Sequence, residues 1–124
     1  STGAARAVAE VLPNLKGKID GSAIRVPTAN VSLVDFKFLS KKSTNEDDLK
    51  EIFKSAEKNE FKSIIQTTDE PLVSPDLNHN PHSSIVDLNE IKVINNNFCR
   101  ILSWYDNEWG FSNRLLDVAL KISS

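Results

Sequence analysis

The sequence predicts an α+β fold, a mostly antiparallel or mixed sheet with about three helices packed on one face. Three observations lead there. Apolar residues recur at helical spacing in three separate stretches. About six short runs between them read as strands. The strand candidates of the second half follow one another too closely to be all parallel, since a parallel crossover takes about a dozen residues or more.

The first helix is expected over 1–12, with Ser1 or Thr2 as the cap, alanines throughout, and Val8, Val11 and Leu12 as its apolar stripe. Pro13 and Gly17 stop it. A strand over 18–27 ends at Pro27, and a second covers 30–39. In the second strand Val31, Leu33 and Asp35 point one way and Ser32, Val34, Phe36 and Phe38 the other, which predicts a strand that is central or covered on both faces. Thr44-Asn45-Glu46-Asp47 resembles a capping box. The helix after it sets Leu49, Ile52, Phe53 and Ala56 on one face and charges on the other. A strand at 61–66 and a polar loop over 67–84 follow, then strands at 84–88, 91–95 and 98–105, the last two joined by a turn at Asn95-Asn96-Asn97. The last helix spans 107–122, with Leu115, Leu116, Val118, Ala119 and Ile122 as its buried side.

A length of 124 residues suits one domain, and 40% apolar with 26% charged residues is the balance of a folded chain. A net charge of −2 gives no basic field for nucleic acid or anionic lipid. No apolar run nears the ~20 residues of a membrane span, and no secretory signal opens the chain. The single cysteine excludes an internal disulfide and fits a reducing, cytoplasmic setting. There is no methionine, and the chain opens directly on a helix start, so a piece taken from a longer protein is expected.

Several residues are candidates for chemistry. Thr2 and Gly3 open a helix, where unpaired N–H groups suit a phosphate; ordinary capping is the alternative. Arg25, between Ile24 and Val26, is either an ion-pair partner of Asp35 or Asp87 or a fork for phosphate or carboxylate. His79 and His82 lie in a loop without a metal-ligand set or a nucleophile elbow, which favours hydrogen bonding within the loop. Cys99, in an apolar strand, reads as inert packing. In Trp104-Tyr105-Asp106-Asn107-Glu108-Trp109-Gly110-Phe111, either Asp106 or Asn107 caps the last helix while the aromatics seal the core, or Asn107 offers its amide to a planar ligand.

Three stretches carry a resemblance. Ser1-Thr2-Gly3-Ala4-Ala5-Arg6-Ala7-Val8, Arg25-Val26-Pro27-Thr28-Ala29-Asn30-Val31-Ser32 and Trp104 through Arg114 resemble, in order and spacing, the phosphorylating glyceraldehyde-3-phosphate dehydrogenase family, as do Ser74-Pro75-Asp76 and His82-Ser83-Ser84. The resemblance implies that residues 1–124 are part of a catalytic domain, with the NAD-binding Rossmann domain absent. It implies that Thr2, Gly3 and Arg25 bind phosphate, that Asn107 contacts the nicotinamide carboxamide of NAD, and that Phe111 stands near the nicotinamide where the family usually has tyrosine. No catalytic or metal-binding residue is assigned. Cys99 and His82 match neither the nucleophile nor the base, which belong to upstream segments, so the chain alone is expected to be inactive. The implied partners are glyceraldehyde 3-phosphate, inorganic phosphate, the enzyme's own NAD-binding domain and further copies in a tetramer; an apolar sheet face at Val31–Leu39 is expected to self-associate. Two alternatives stand beside this: a stand-alone binding or assembly module without catalysis, and the related erythrose-4-phosphate dehydrogenase, although Trp104-Tyr105 and His82-Ser83-Ser84 lean toward the triose enzyme.

Overall fold

The structure is a computed structural model and describes residues 3–123. Its elements are α1 (Ala4–Val11), β1 (Ser32–Leu39), α2 (Glu46–Lys58), β2 (Ile65–Thr68), β3 (Ser84–Ile94), β4 (Phe98–Tyr105) and α3 (Asn107–Ser123), with single 3-10 turns at Pro13–Leu15 and Ser74–Leu77. The strands form one mixed sheet in the order β1-β4-β3-β2. β4 pairs antiparallel with β1 and with β3, and β2 pairs parallel with β3. The fold is therefore α+β, as expected.

The sheet has a core on each side. On one face Val86, Leu88, Ile91, Cys99 and Ile101 pack with Leu49 of α2, flanked by Phe38, Phe53, Ile65 and Val93. On the other, Ile85 packs with Val31 and Leu77, flanked by Leu72 and Trp104. The alternation of side chains along β3 and β4 divides neighbours such as Ile85 and Val86 between the two cores. The same rule separates Cys99, fully buried, from Arg100, which reaches Asp35 and Glu90 at 3.1 and 3.3 Å. Cys99 is thus packing, as its apolar neighbours indicated.

Of the three helices, α2 lies along the sheet, over β2 and β3. Its capping box sits one residue beyond the expected position: the Asn45 side chain accepts from the Asp48 N–H at 2.9 Å, and Asp48 accepts from the Asn45 N–H at 3.3 Å. The helix begins at Glu46, so Asn45 and not Thr44 takes the N-cap position, and Asp48 rather than Asp47 stands at N3. In the turn from β3 to β4, Asn95 and Asn96 take left-handed φ of 51° and 59°, the pair of positive values that a tight hairpin of this twist requires.

Several expectations need correction. The runs at 84–88 and 91–95 are one strand, β3, whose register with β4 shifts between Asp87 and Lys92; a bulge looks like a break in a one-dimensional pattern. The strand expected at 61–66 is displaced to Ile65–Thr68, because the residues before it turn back on the end of α2. No strand forms over 18–27. Alternation alone does not make a strand; a ladder partner is needed, and no described strand pairs with this segment, leaving Ile24 86% exposed. β1 starts at Ser32 and is an edge strand rather than a central one, with Leu33, Val34 and Phe36 open. The side of α3 expected to be buried is exposed as well (Leu116 64%, Ile122 81%), since no described element covers it. The proposed Ser1 or Thr2 cap of the first helix lies outside the described residues, and Gly3 holds the N-cap position.

Ile85 has no accessible surface, so Ile85→Ala is expected to cost about 2–5 kcal/mol in urea unfolding of the purified chain. Asn45→Ala, which removes an exposed cap, is expected to cost only about 1 kcal/mol by the same measurement.

Candidate functional site

The strand-to-helix junction after β4 is built on Asp106, which is 2% exposed. Its Oδ1 accepts from the Trp109 N–H at 3.1 Å and its backbone carbonyl from the Gly110 N–H at 2.9 Å, which caps α3. Its Oδ2 accepts from the His79 N–H and from Asn30 Nδ2, both at 2.9 Å. Burial works to raise the pKa of this carboxyl, but the hydrogen bonds from His79, Trp109 and Asn30, with the nearby His79 charge, outweigh it and hold the pKa below the ordinary carboxylate value. Asp106 is therefore an anion that joins three segments: the chain entering β1, the loop after Ser74–Leu77, and α3.

The loop side of this junction is also constrained. His79 adopts a left-handed φ of 61° and its ring packs on Trp109 with centroids 4.7 Å apart. Gly110 is buried, and a Cβ there would meet the His82 carbonyl oxygen at 3.3 Å, so α3 approaches the loop backbone closely. His82 binds within its loop: its N–H donates to Asn80 Oδ1 at 3.0 Å and its Nδ1 lies 2.8 Å from the same atom. Burial first, then the Arg114 charge, lowers the His82 pKa against a smaller opposing effect of Glu57. This supports the loop role read from the sequence.

On this rigid base α3 presents Asn107 and Phe111. They are four residues apart, so they share a helix face. Asn107 is exposed and its side-chain amide makes no hydrogen bond among the described residues; Phe111 is 68% exposed. The arrangement offers a free amide and an aromatic ring side by side, which suits a planar ligand bearing a carboxamide.

The phosphate candidates are placed differently. Thr2 lies outside the described residues. Gly3 is the exposed N-cap of α1, and among the described residues a Cβ there would meet nothing within 4 Å. Arg25 stands exposed on the irregular chain between Pro13–Leu15 and β1, and among the described residues its guanidinium has no hydrogen-bond or ion-pair partner. Neither suggested ion pair forms: Asp35 binds Lys37 and Arg100, and Asp87 accepts from the Asn89 N–H. The structure thus brings Asn107 and Phe111 together on one face, while Gly3 and Arg25 stand on separate segments.

A family model described as the C-terminal domain of glyceraldehyde 3-phosphate dehydrogenase matches residues 1–107. The chain belongs to this family. It is 52% identical over 120 residues to the glyceraldehyde-3-phosphate dehydrogenase of Xanthobacter flavus, covering 97% of this chain and 36% of that protein. The enzyme of the same name from Zymomonas mobilis is 50% identical over 124 residues, 99% of this chain and 37% of that protein. Glyceraldehyde-3-phosphate dehydrogenase 2 of Staphylococcus aureus is 47% identical over 124 residues, 100% of this chain and 36% of that protein. The chain spans about a third of the length of these relatives. Among the described residues no helix is long and apolar enough to cross a membrane.

What the sequence missed is the reach of Asp106. Its capping role was legible from its place before Asn107, but Asn30 lies 76 residues away, and no local signal links the two.

Asp106 gives this junction a pH dependence. Its folded pKa is depressed, so its contribution is complete above the unfolded value of about 3.9 and is lost as pH falls through the lower folded value. Urea unfolding of the chain from pH 7 to pH 2 is expected to show a stability loss below about pH 4 that is smaller in Asp106→Asn, which is less stable than the parent at pH 7.

Proposed function

We propose that residues 1–124 form part of the catalytic domain of an NAD-dependent, phosphorylating glyceraldehyde-3-phosphate dehydrogenase. The whole enzyme oxidises glyceraldehyde 3-phosphate with NAD and captures the acyl group with inorganic phosphate as 1,3-bisphosphoglycerate. In this reading the NAD-binding domain, the nucleophilic cysteine and the histidine base lie in other parts of the enzyme, which works in the cytoplasm as a tetramer. Full burial of Cys99 supports the view that it is not the nucleophile.

The observation that carries the proposal is the pairing of Asn107 with Phe111 on an exposed face of α3, above the locked Asp106 junction, in a chain of this family. An amide both donates and accepts, so Asn107 matches the carboxamide of nicotinamide, and Phe111 sets a ring beside it. Phe111 lacks the hydroxyl of the tyrosine usual there, so ring contact is all it contributes. NAD, when bound, supplies the hydride acceptor. Thr2 and Gly3, at the start of a helix, take phosphate through hydrogen bonds, and Arg25 takes it through a charged fork. That Arg25 has no partner among the described residues supports this use, because the fork remains free for an anion. The exposed apolar rows of α3 and β1 are surfaces for the rest of the enzyme and for neighbouring subunits.

The purified 124-residue chain, assayed for NADH formation beside the full-length enzyme, is expected to give no turnover; activity above contamination would overturn the division of labour. In the full-length enzyme Arg25→Ala is expected to raise the KM for phosphate about 10- to 100-fold, the equivalent of about 1.5–3 kcal/mol for a hydrogen bond to a charged group.

A further inference from the structure

We propose that Asn30 is a positioning residue for Arg25, clamped in that role by Asp106 and Ser74. The inference rests on the reading of Arg25 as a phosphate ligand. Four residues, Val26 to Ala29, separate the two. The segment that carries Arg25 belongs to no strand, so a sheet ladder does not fix where it points. Its direction is set where it joins the fold, just before β1, and that junction is held unusually firmly.

The hold has three parts. The two N–H bonds of the Asn30 amide are both used, to Asn78 Oδ1 at 2.7 Å and to Asp106 Oδ2 at 2.9 Å. Ser74 Oγ lies 2.5 Å from the Asn30 carbonyl oxygen and 2.9 Å from that of Val31, sharing its proton between them. Between these fixings Val31 is buried with a φ of 63°. A β-branched residue avoids that conformation and keeps it only where its surroundings impose it. The Ser74 and Asn30 bonds impose it here. Released, Val31 would return to the β region and swing the upstream chain away.

Toward Arg25 the segment is short and stiffened. Pro27 fixes its own φ, and the Thr28 N–H donates to the Val26 carbonyl at 2.8 Å. Thr28, Ala29 and Asn30 face Pro75 and Asn78 across a small cavity of about 130 Å³, and the bonds of Asn30 to Asn78 and Ser74 tie this stretch to the Ser74–Leu77 turn. A change at Asn30 is thereby passed to Arg25 through few rotatable bonds. Because Asp106 also caps α3, one carboxylate sets the base of both Arg25 and Asn107.

The test uses the full-length enzyme with Arg25→Ala, Asn30→Ala, Ser74→Ala, Ser74→Thr and the double variant Arg25→Ala/Asn30→Ala. Asn30→Ala and Ser74→Ala are each expected to raise the KM for phosphate roughly tenfold or more, while the KM for NAD changes less than about twofold. Ser74→Thr, which keeps the hydroxyl, restores the parent value. The double variant is no worse than Arg25→Ala alone, since Asn30 acts through Arg25. A lower Tm with unchanged phosphate KM in Asn30→Ala and Ser74→Ala, or additive losses in the double variant, would show a clamp that is only structural and overturn the proposal. If Asn30→Ala does not fold, Ser74→Ala and its Thr rescue decide the matter. An Arg25→Ala enzyme with normal phosphate KM would instead sink the phosphate role of Arg25, and the positioning role with it, whereas a defect in Arg25→Ala alone would sink only the positioning.

Discussion

The carboxylate of Asp106 is the constraint on which the site side of this fold depends. A buried anion is tolerable only when its lone pairs are used, and here they are used by the His79 and Trp109 N–H groups and the Asn30 amide. Each donor belongs to a different segment, so satisfying one carboxylate fixes three pieces of chain relative to one another. The left-handed His79 and Val31, the close approach of Gly110 to the His82 carbonyl and the ring contact of His79 with Trp109 all lie around this point. Backbone strain gathered there is held in place by the same hydrogen bonds.

The sheet supplies a platform of a different kind. Its stability comes from two apolar clusters on opposite faces, with α2 closing one of them. Polar interactions on the sheet surface, such as Arg100 with Asp35 and Glu90, are partly exposed and add little to stability in water. They pull down the Asp35 pKa, with the Lys37 hydrogen bond the largest cause, against a smaller desolvation effect. The start of α3 is separate from this platform: the Asp106 cap holds the first turn, and Asn107 and Phe111, one turn apart, both stand exposed there.

Much apolar surface remains open. Leu115, Leu116, Leu120 and Ile122 run along α3, and Leu33, Val34 and Phe36 mark β1, all of them exposed. On β1 they alternate as the sequence pattern had them, Leu33 on one face and Val34 with Phe36 on the other. The pattern could not say what covers them, because the covering partner is not encoded in the periodicity of the covered element. The same holds for 18–27, where an alternating run without a ladder partner stays irregular.

The sequence by itself determined the α+β class, the long helices α2 and α3, the hairpin at Asn95-Asn96, the packing of Cys99 in the core and, through its three motif stretches, the family. These depend on local rules: helical spacing, strand alternation, the left-handed tolerance of asparagine and the packing of a thiol among apolar neighbours. It also marked Asn107 and Arg25 by residue type and setting. Only the tertiary structure decided that 84–88 and 91–95 are one bulged strand, that β1 lies at an edge, that Arg25 is free of Asp35 and Asp87, and that Asp106 binds Asn30. Those facts depend on which distant segments meet. A hydrogen bond across 76 residues leaves no trace in local spacing, because the free energy that selects it comes from burying the carboxylate among donors the fold brings from elsewhere.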